Sequence, residues 1–326
     1  MKEFSAIQLP IDFGHTHDGK YEPQGQKEAP AILLQALRQA GLRLRQNIEV
    51  PVDVPQKNEP ANCPLKFDAE IAQAIGDATD FIEREILDGK TPLILGGDHT
   101  ISLATALGVS RTLKRQRLGA IVFDAHTDFN KPGVVAKKGS PIARGQTFSG
   151  NAHGMIHALL ARQGDEAFHL AKLCREYSLF DPARVVIIGV RSQRYPDLEE
   201  TLGHLNPKLV SAESALALQA MDLEARSREL TEILSIASAQ FKEPFYLSLD
   251  CDAITPEEFP AVATPVPAGL TMKCLKEILD VWRSDHRFWQ NLRAVDIAEY
   301  CPNLDPGHSK STALAKVISD FFNLEQ

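Results

Sequence analysis

Short apolar runs and longer amphipathic stretches alternate along most of this chain. The runs at 6–9, 92–95, 119–123, 184–190, 244–249 and 292–297 have the length of strands. The β-branched run Val185-Val186-Ile187-Ile188 fits a strand covered on both faces. Between the runs, apolar residues recur at helical spacing: Ile71, Ile75, Ala78, Ile82 and Ile86 draw one stripe along Pro64–Lys90. The same reading predicts helices over Ala29–Ala40 (stopped by Gly41), Thr100–Leu113, Met155–Arg162, Glu166–Tyr177, Met221–Ala239, Met272–Trp282 and Ser311–Phe322. Residues 10–27, 130–150 and 256–267 read as loops. Strand–helix alternation without a repeat or a linker predicts one domain over 1–326, an α/β fold with a parallel sheet between helical layers.

Three of the predicted strands run into acidic and histidine clusters. Pro92-Leu93-Ile94-Leu95 leads to Gly96-Gly97-Asp98-His99, 120–123 to Asp124-Ala125-His126-Thr127-Asp128, and 245–249 to Asp250-Cys251-Asp252. Side chains at the carboxyl ends of parallel strands converge on one crevice, where open α/β sheets bind ligands. His99, His126, Asp124, Asp128, Asp250 and Asp252 in one crevice carry too much charge to leave uncompensated, which calls for divalent metal. If the strand continued, the alternate spacing of 124, 126 and 128 would put those side chains on one face; a turn could equally fan them around a point. A carboxylate with two oxygens can bridge two cations, so two strand ends can assemble a two-metal cluster. Oxygen-rich ligation with one imidazole per ion suits Mn²⁺ better than thiolate-seeking ions. Cys251 alternates away from its neighbours and is assigned to the core.

Composition narrows the class without naming a chemistry. The chain has 326 residues, 24% charged, with a formal net charge of −8, enough for a large core and an ordinary, mildly acidic surface. Basic residues are scattered and Lys137-Lys138 is isolated, so no nucleic-acid partner is expected. Five cysteines without CxxC spacing fit a reducing compartment. No signal-like or membrane-length apolar stretch is found, so the expected location is the cytoplasm, with no membrane partner.

The clusters and their flanks resemble the ureohydrolase family of arginase, agmatinase and formimidoylglutamase. The resemblance runs in order through Lys27-Glu28-Ala29-Pro30, Gly96-Gly97-Asp98-His99, Asp124 to Asn130, Ser149-Gly150-Asn151-Ala152-His153-Gly154-Met155, Ser248 to Asp252 and Asp296-Ile297-Ala298-Glu299. The segment at 149–154 looks like arginase in particular. The family implies a three-layer α/β/α fold with a mostly parallel sheet of about eight strands. It also implies two Mn²⁺ per subunit. One would be held by His99, Asp124, Asp128 and Asp250, the other by His126, Asp124, Asp250 and Asp252, with a shared hydroxide as nucleophile. Asp128 would orient that hydroxide, His153 would shuttle a proton to the leaving amine, and Glu299 would pair with the guanidinium. Asn130, Ser149 and Asn151 match positions that hold the substrate's α-carboxylate and α-amino group, directly or through water. The expected activity is arginase, L-arginine and water giving L-ornithine and urea, on a small guanidino or amidino substrate, in a homo-oligomer (trimer or hexamer).

Taken singly, several of these residues have plainer readings. Asp98 with Thr100 can be a helix cap, His153 a loop histidine, Glu299 a salt-bridge partner, and Ser149 and Asn151 turn residues. His15-x-His17-Asp18 reads as loop near the site entrance, and Asp285-His286-Arg287 as a solvated helix end. Two stretches depart from the arginase pattern. After Gly189-Val190-Arg191, where arginases place an Asp-x-Asp pair, stand Ser192 and Arg194; the loop with Thr264 leans toward formimidoylglutamase-like sequences. A guanidinium at 194 would repel an ammonium and attract a carboxylate. Arg194 and Thr264 therefore join the candidate substrate-binding set. Formimidoylglutamase or another guanidino or formimino-acid hydrolase is the alternative, and a non-catalytic metal-binding relative the third reading.

Overall fold

The computed structural model describes residues 2–16, 25–114, 116–135, 146–147, 149–192 and 196–323. One sheet carries strands β1 (Phe4–Leu9), β2 (Leu44–Glu49), β3 (Thr91–Gly96), β4 (Leu118–Phe123), β5 (Phe180–Val190), β6 (Lys208–Ser211), β7 (Phe245–Asp250) and β8 (Leu292–Ala298). In space they run β2-β1-β3-β8-β7-β4-β5-β6, and every neighbouring pair is parallel. A two-residue pairing of 134–135 with 146–147 lies outside this sheet.

Period-two alternation sorts the side chains between two apolar layers. Leu93, Leu95, Ile121, Phe123, Val186, Ile188, Leu247 and Leu249 face one way, with helices 29–39, 223–237, 272–283 and 309–322 packed on them. Ile94, Ala120, Val122, Val185, Ile187 and Tyr246 face the other, under helices 68–87, 101–112 and 156–160. Strands β3, β4 and β7 are buried throughout, so their apolar runs are continuous. The fold is the three-layer α/β/α arrangement, with its sheet wholly parallel. No helix among the described residues is long and apolar enough to cross a membrane.

The sheet order positions the site. The chain lays β3 beside β1 and places β4 on the far side of a gap that β8 and β7 later fill. The tips of β3, β7 and β4, which carry the three clusters, therefore open onto one crevice. The two edge strands were not anticipated. Leu-Arg-Gln-Asn-Ile-Glu at β2 is largely exposed and β6 is only half-buried, so neither carries a core strand's apolar run. The short helices 196–205, 212–217 and 286–291 were also missed. Asp285 caps the last of these, its Oδ1 accepting the Arg287 N–H at 2.9 Å, so the 285–287 cluster begins a helix.

Close backbone approach fixes Gly97. A Cβ there would stand 1.9 Å from the Ile11 carbonyl oxygen, a contact with backbone that no rotamer change relieves. Gly76, inside helix 68–87, has nothing within 4 Å of its virtual Cβ. Gly76→Ala is expected to stabilise the protein by about 1 kcal/mol, the helix preference for alanine over glycine. Gly97→Ala should cost roughly 1–3 kcal/mol or more through overpacking. Urea-denaturation midpoints moving in opposite directions would bear this out; equal midpoints would not.

Candidate metal centre and active site

Each cluster turns immediately after its strand. Asp124 Oδ1 accepts the His126 N–H at 2.6 Å, and Asp250 Oδ1 accepts the Asp252 N–H at 2.8 Å. These Asx turns fold the chain back on itself, so of the two local geometries left open by spacing the structure shows the fan. Asp128 sits in the left-handed region at φ 51°. Its carbonyl accepts the His157 N–H at 2.9 Å, and the Thr127 carbonyl lies 2.8 Å from His157 Nδ1.

The side chains meet in two groups that share Asp124. His99 Nδ1 lies 2.9 Å from Asp128 Oδ2, 3.1 Å from Asp250 Oδ2 and 3.3 Å from Asp124 Oδ2. His126 Nδ1 lies 3.0 Å from Asp252 Oδ2 and 3.5 Å from Asp124 Oδ1. Within each of the sets His99/Asp124/Asp128 and Asp124/His126/Asp252, the donor atoms all lie within 4.8 Å of one another. The structure thus brings together all six residues expected to hold metal.

The donor chemistry fits divalent cations. Asp124 Oδ2 is buried without a hydrogen bond, an oxygen that an ion would satisfy. Burial, then the charges of Asp252 and Asp124, pushes Asp250 well above the usual carboxylate range. Burial and Asp124's charge likewise raise Asp128 to about 6. Burial works against a charged His126, yet Asp252 and Asp124 outweigh it and lift the imidazole to about 12. Burial opposes ionisation of Asp124 too, but His126 and His99 hold it ionised. Without a cation, the cluster can offset its charge only by keeping protons, which a bound ion would displace.

Neighbouring residues aim these donors. His99 Nε2 lies 2.9 Å from Ser248 Oγ, which donates to Asp296 Oδ1; Ser102 Oγ donates to the same oxygen at 2.9 Å. The second ring nitrogen is thereby occupied, leaving Nδ1 as the donor toward the aspartates. Asp252 is held by the Ala125 N–H at 3.1 Å and by Thr264 Oγ1 at 3.0 Å. Arg191 ties the same wall together. Its guanidinium donates to the carbonyls of Asp252 (2.7 Å), Ala253 (3.2 Å), Val266 (2.9 Å) and Pro267 (2.9 Å). Ser248 and Asp296 stood inside matched motifs without a role, and neither Arg191 nor His157 was singled out. No local spacing marks any of the four, because their contacts are long-range.

A cavity of about 330 Å³ opens beside the cluster. Asp128, His126, Asp250 and Asp252 border it, with Asn130, Ser149, His153, Ser192 and Thr264 among its other lining residues. Glu299 is placed differently. It is 1% exposed and absent from the lining; Oε1 accepts the His99 N–H at 2.8 Å and lies 3.3 Å from His153 Nδ1, while Oε2 accepts from Gln26. Burial disfavours charge on both partners, but each outweighs it for the other: His153 is raised, and Glu299 is held at about 2. Asn151 is also buried outside the lining, bonded through its amide to the Thr16 hydroxyl (2.9 Å) and carbonyl (3.1 Å). Asp98 accepts the N–H groups of Thr100 (3.0 Å) and Gly14 (2.7 Å), so it ties a loop rather than caps a helix alone. Cys251 is buried, as its alternation implied. Arg194, His17 and Asp18 lie outside the described residues. A more open groove of about 650 Å³ lies between helices 223–237 and 272–283, lined by neither candidate metal-binding group.

A wholly parallel sheet with paired imidazole–carboxylate groups at its strand tips defines a class, the α/β proteins with a candidate metal centre in the sheet crevice. The chain belongs to the arginase family, whose model matches residues 5–323. Arginase of Bacillus caldovelox is 31% identical over 335 aligned residues, which cover 99% of this chain and 98% of that one. The solved native structure of that arginase superposes with a TM-score of 0.79 at 24% identity, over 100% of this chain and 99% of that one. Formimidoylglutamase from Bacillus subtilis strain 168 shares the fold at a TM-score of 0.68 and 18% identity, covering 98% of this chain and 86% of that one.

Proton displacement gives the metal reading a sign. His126, Asp128 and Asp250 all hold protons more tightly in the folded, metal-free protein than in the unfolded chain. A cation must displace those protons, so affinity rises with pH. The increase in thermal midpoint on adding Mn²⁺ is expected to grow between about pH 5.5 and about pH 8. Calorimetry showing a pH-independent increase, or none, would contradict the site.

Proposed function

We propose that this chain is a hydrolase holding two Mn²⁺ and cleaving the guanidinium group of a small guanidino compound to urea and an amine. The reference substrate is L-arginine, the reading carried over from its arginase relatives, with L-ornithine as the amine. The carrying observation is the pair of imidazole–carboxylate groups sharing Asp124 at the edge of a polar cavity. His99, Asp124, Asp128 and Asp250 would hold one ion; His126, Asp124, Asp250 and Asp252 would hold the other. When bound, the ions supply a nucleophile from water near neutral pH and neutralise charge developing in the transition state.

The chain's own groups do the rest. Asp128, at the cavity edge, accepts a hydrogen bond from the attacking water and aims it at the guanidinium carbon. The bond from that carbon to the substrate's chain nitrogen then breaks. His153 delivers a proton to that nitrogen; its Nδ1 is committed to Glu299, which leaves Nε2 for exchange. Glu299 keeps His153 charged, and acts on the guanidinium through that pair rather than by direct contact. Asn130, Ser149 and Thr264 offer neutral hydrogen-bonding groups to the far end of the substrate.

That wall favours a second reading. Among the described lining residues, every carboxylate belongs to the metal donors. Residues 130–149 contain no Asp or Glu, and Arg194 follows Ser192. Among the described lining residues an α-ammonium finds no carboxylate beyond the candidate metal donors, whereas a guanidinium at 194 would attract a substrate carboxylate, so a guanidino or formimino acid is the alternative to L-arginine.

With Mn²⁺ supplied, urea release is expected from at least one of L-arginine, agmatine and the ω-guanidino acids. Ammonia or formamide from formiminoglutamate with no urea from any guanidino compound would favour the second reading, and no turnover of the whole panel would refute both. Asp250→Ala should abolish Mn²⁺ retention and turnover together. His153→Ala should keep the metal and lose roughly 10²–10⁴-fold in kcat, the range for a positioned proton donor. Metal content by mass spectrometry alongside kinetics separates the two effects.

A further inference from the structure

His15 lies in a polar stretch of the chain, yet its backbone is fastened on both sides. The Gly14 N–H donates to Asp98 Oδ2 at 2.7 Å, and the Gly14 carbonyl accepts the His153 N–H at 3.3 Å. A Cβ on Gly14 would lie 2.6 Å from Thr100 Cγ2 and 2.8 Å from Asp98 Oδ1, so glycine permits this approach. On the other side, Thr16 exchanges hydrogen bonds with the Asn151 amide. Held between these anchors, the His15 ring stands 4.8 Å from the His153 ring, centroid to centroid, at 41°. His153 lines the cavity; His15 does not, and it is half-buried, with access to solvent.

We propose that His15 is a positioning residue that resupplies His153 with protons from solvent. The inference rests on the proton-donor role proposed for His153. Each turnover leaves His153 neutral once its proton has gone to the departing amine. The His15 imidazolium passes a proton to the neutral His153 ring, through bridging solvent, and takes one from bulk water, so no net charge accumulates. Imidazole suits both halves of this exchange, because it gains and loses a proton near neutral pH. The groups acting on His153 are Glu299 at the end of β8, Asp98 after β3, Asp128 after β4, and His15 itself. Glu299 also feels the charge of His15, which places both imidazoles in the field of one buried carboxylate.

The test compares His15→Phe, which keeps a ring against His153, with His15→Gln, which keeps polarity; neither carries an exchangeable ring proton. Both are measured as the Mn²⁺-loaded full chain on whichever substrate the wild type turns over. The expected result is unchanged metal content and KM, with kcat lowered by at least about tenfold, short of the roughly 10²–10⁴-fold for removing a proton donor outright. Small imidazole buffers should restore kcat in a concentration-dependent way, and the acidic limb of the kcat–pH profile should move. Wild-type kcat and pH profile in both variants would overturn the inference, as would a loss that imidazole does not rescue. A wild type with no turnover on any substrate overturns the proposed function instead, so the two failures are distinguishable.

Discussion

Negative charge concentrated at the tips of β4 and β7, beside an imidazole from the tip of β3, is the constraint on which this structure depends. Asp124, Asp128, Asp250 and Asp252 are buried in one crevice with two imidazoles. Two carboxylates about 4 Å apart repel by roughly 4 kcal/mol at an effective dielectric near 20, so four of them cannot all stay ionised unaided. Among the described residues no lysine lines the cavity. The one arginine described there, Arg191, spends its donors on backbone carbonyls. The turns satisfy one oxygen of Asp124 and one of Asp250, and direct the others toward the histidines. Cations from solution would complete the charge balance, and the proposed chemistry follows from where they would sit.

Rigidity around the cluster comes from elements distant in sequence. Ser248 and Asp296, from the adjacent strands β7 and β8, orient His99. Arg191 and Thr264 brace Asp252 and the cavity wall, and His157 grips the backbone at Thr127 and Asp128. Burial drops the His157 imidazole to about 4, so that it stays neutral and serves as a hydrogen-bonding strut. Such bracing reduces the reorganisation needed when the donors close on an ion. It also joins the proposed proton donor to the candidate metal centre, since Glu299 binds both the His99 backbone and the His153 ring.

What was legible in the chain follows from the range of each interaction. Buried central strands announce themselves by unbroken apolar runs, and the candidate metal donors after β4 and β7 by i, i+2 spacing directly after them. Strands β2 and β6 escaped because an edge strand needs no apolar run. Ser248, Asp296, Arg191 and His157 escaped because a serine, a buried acid or an arginine gains its role from a partner tens or hundreds of residues away. The pairing of both Glu299 oxygens within the protein, and the packing of His15 on His153, are tertiary facts that no window of sequence holds.

Anomalous diffraction at the manganese edge from crystals grown with Mn²⁺ tests the central claim most directly. Two peaks per chain are expected, one among His99, Asp124, Asp128 and Asp250, the other among Asp124, His126, Asp250 and Asp252. Absence of anomalous density from this crevice at saturating metal, with the protein folded, would contradict it.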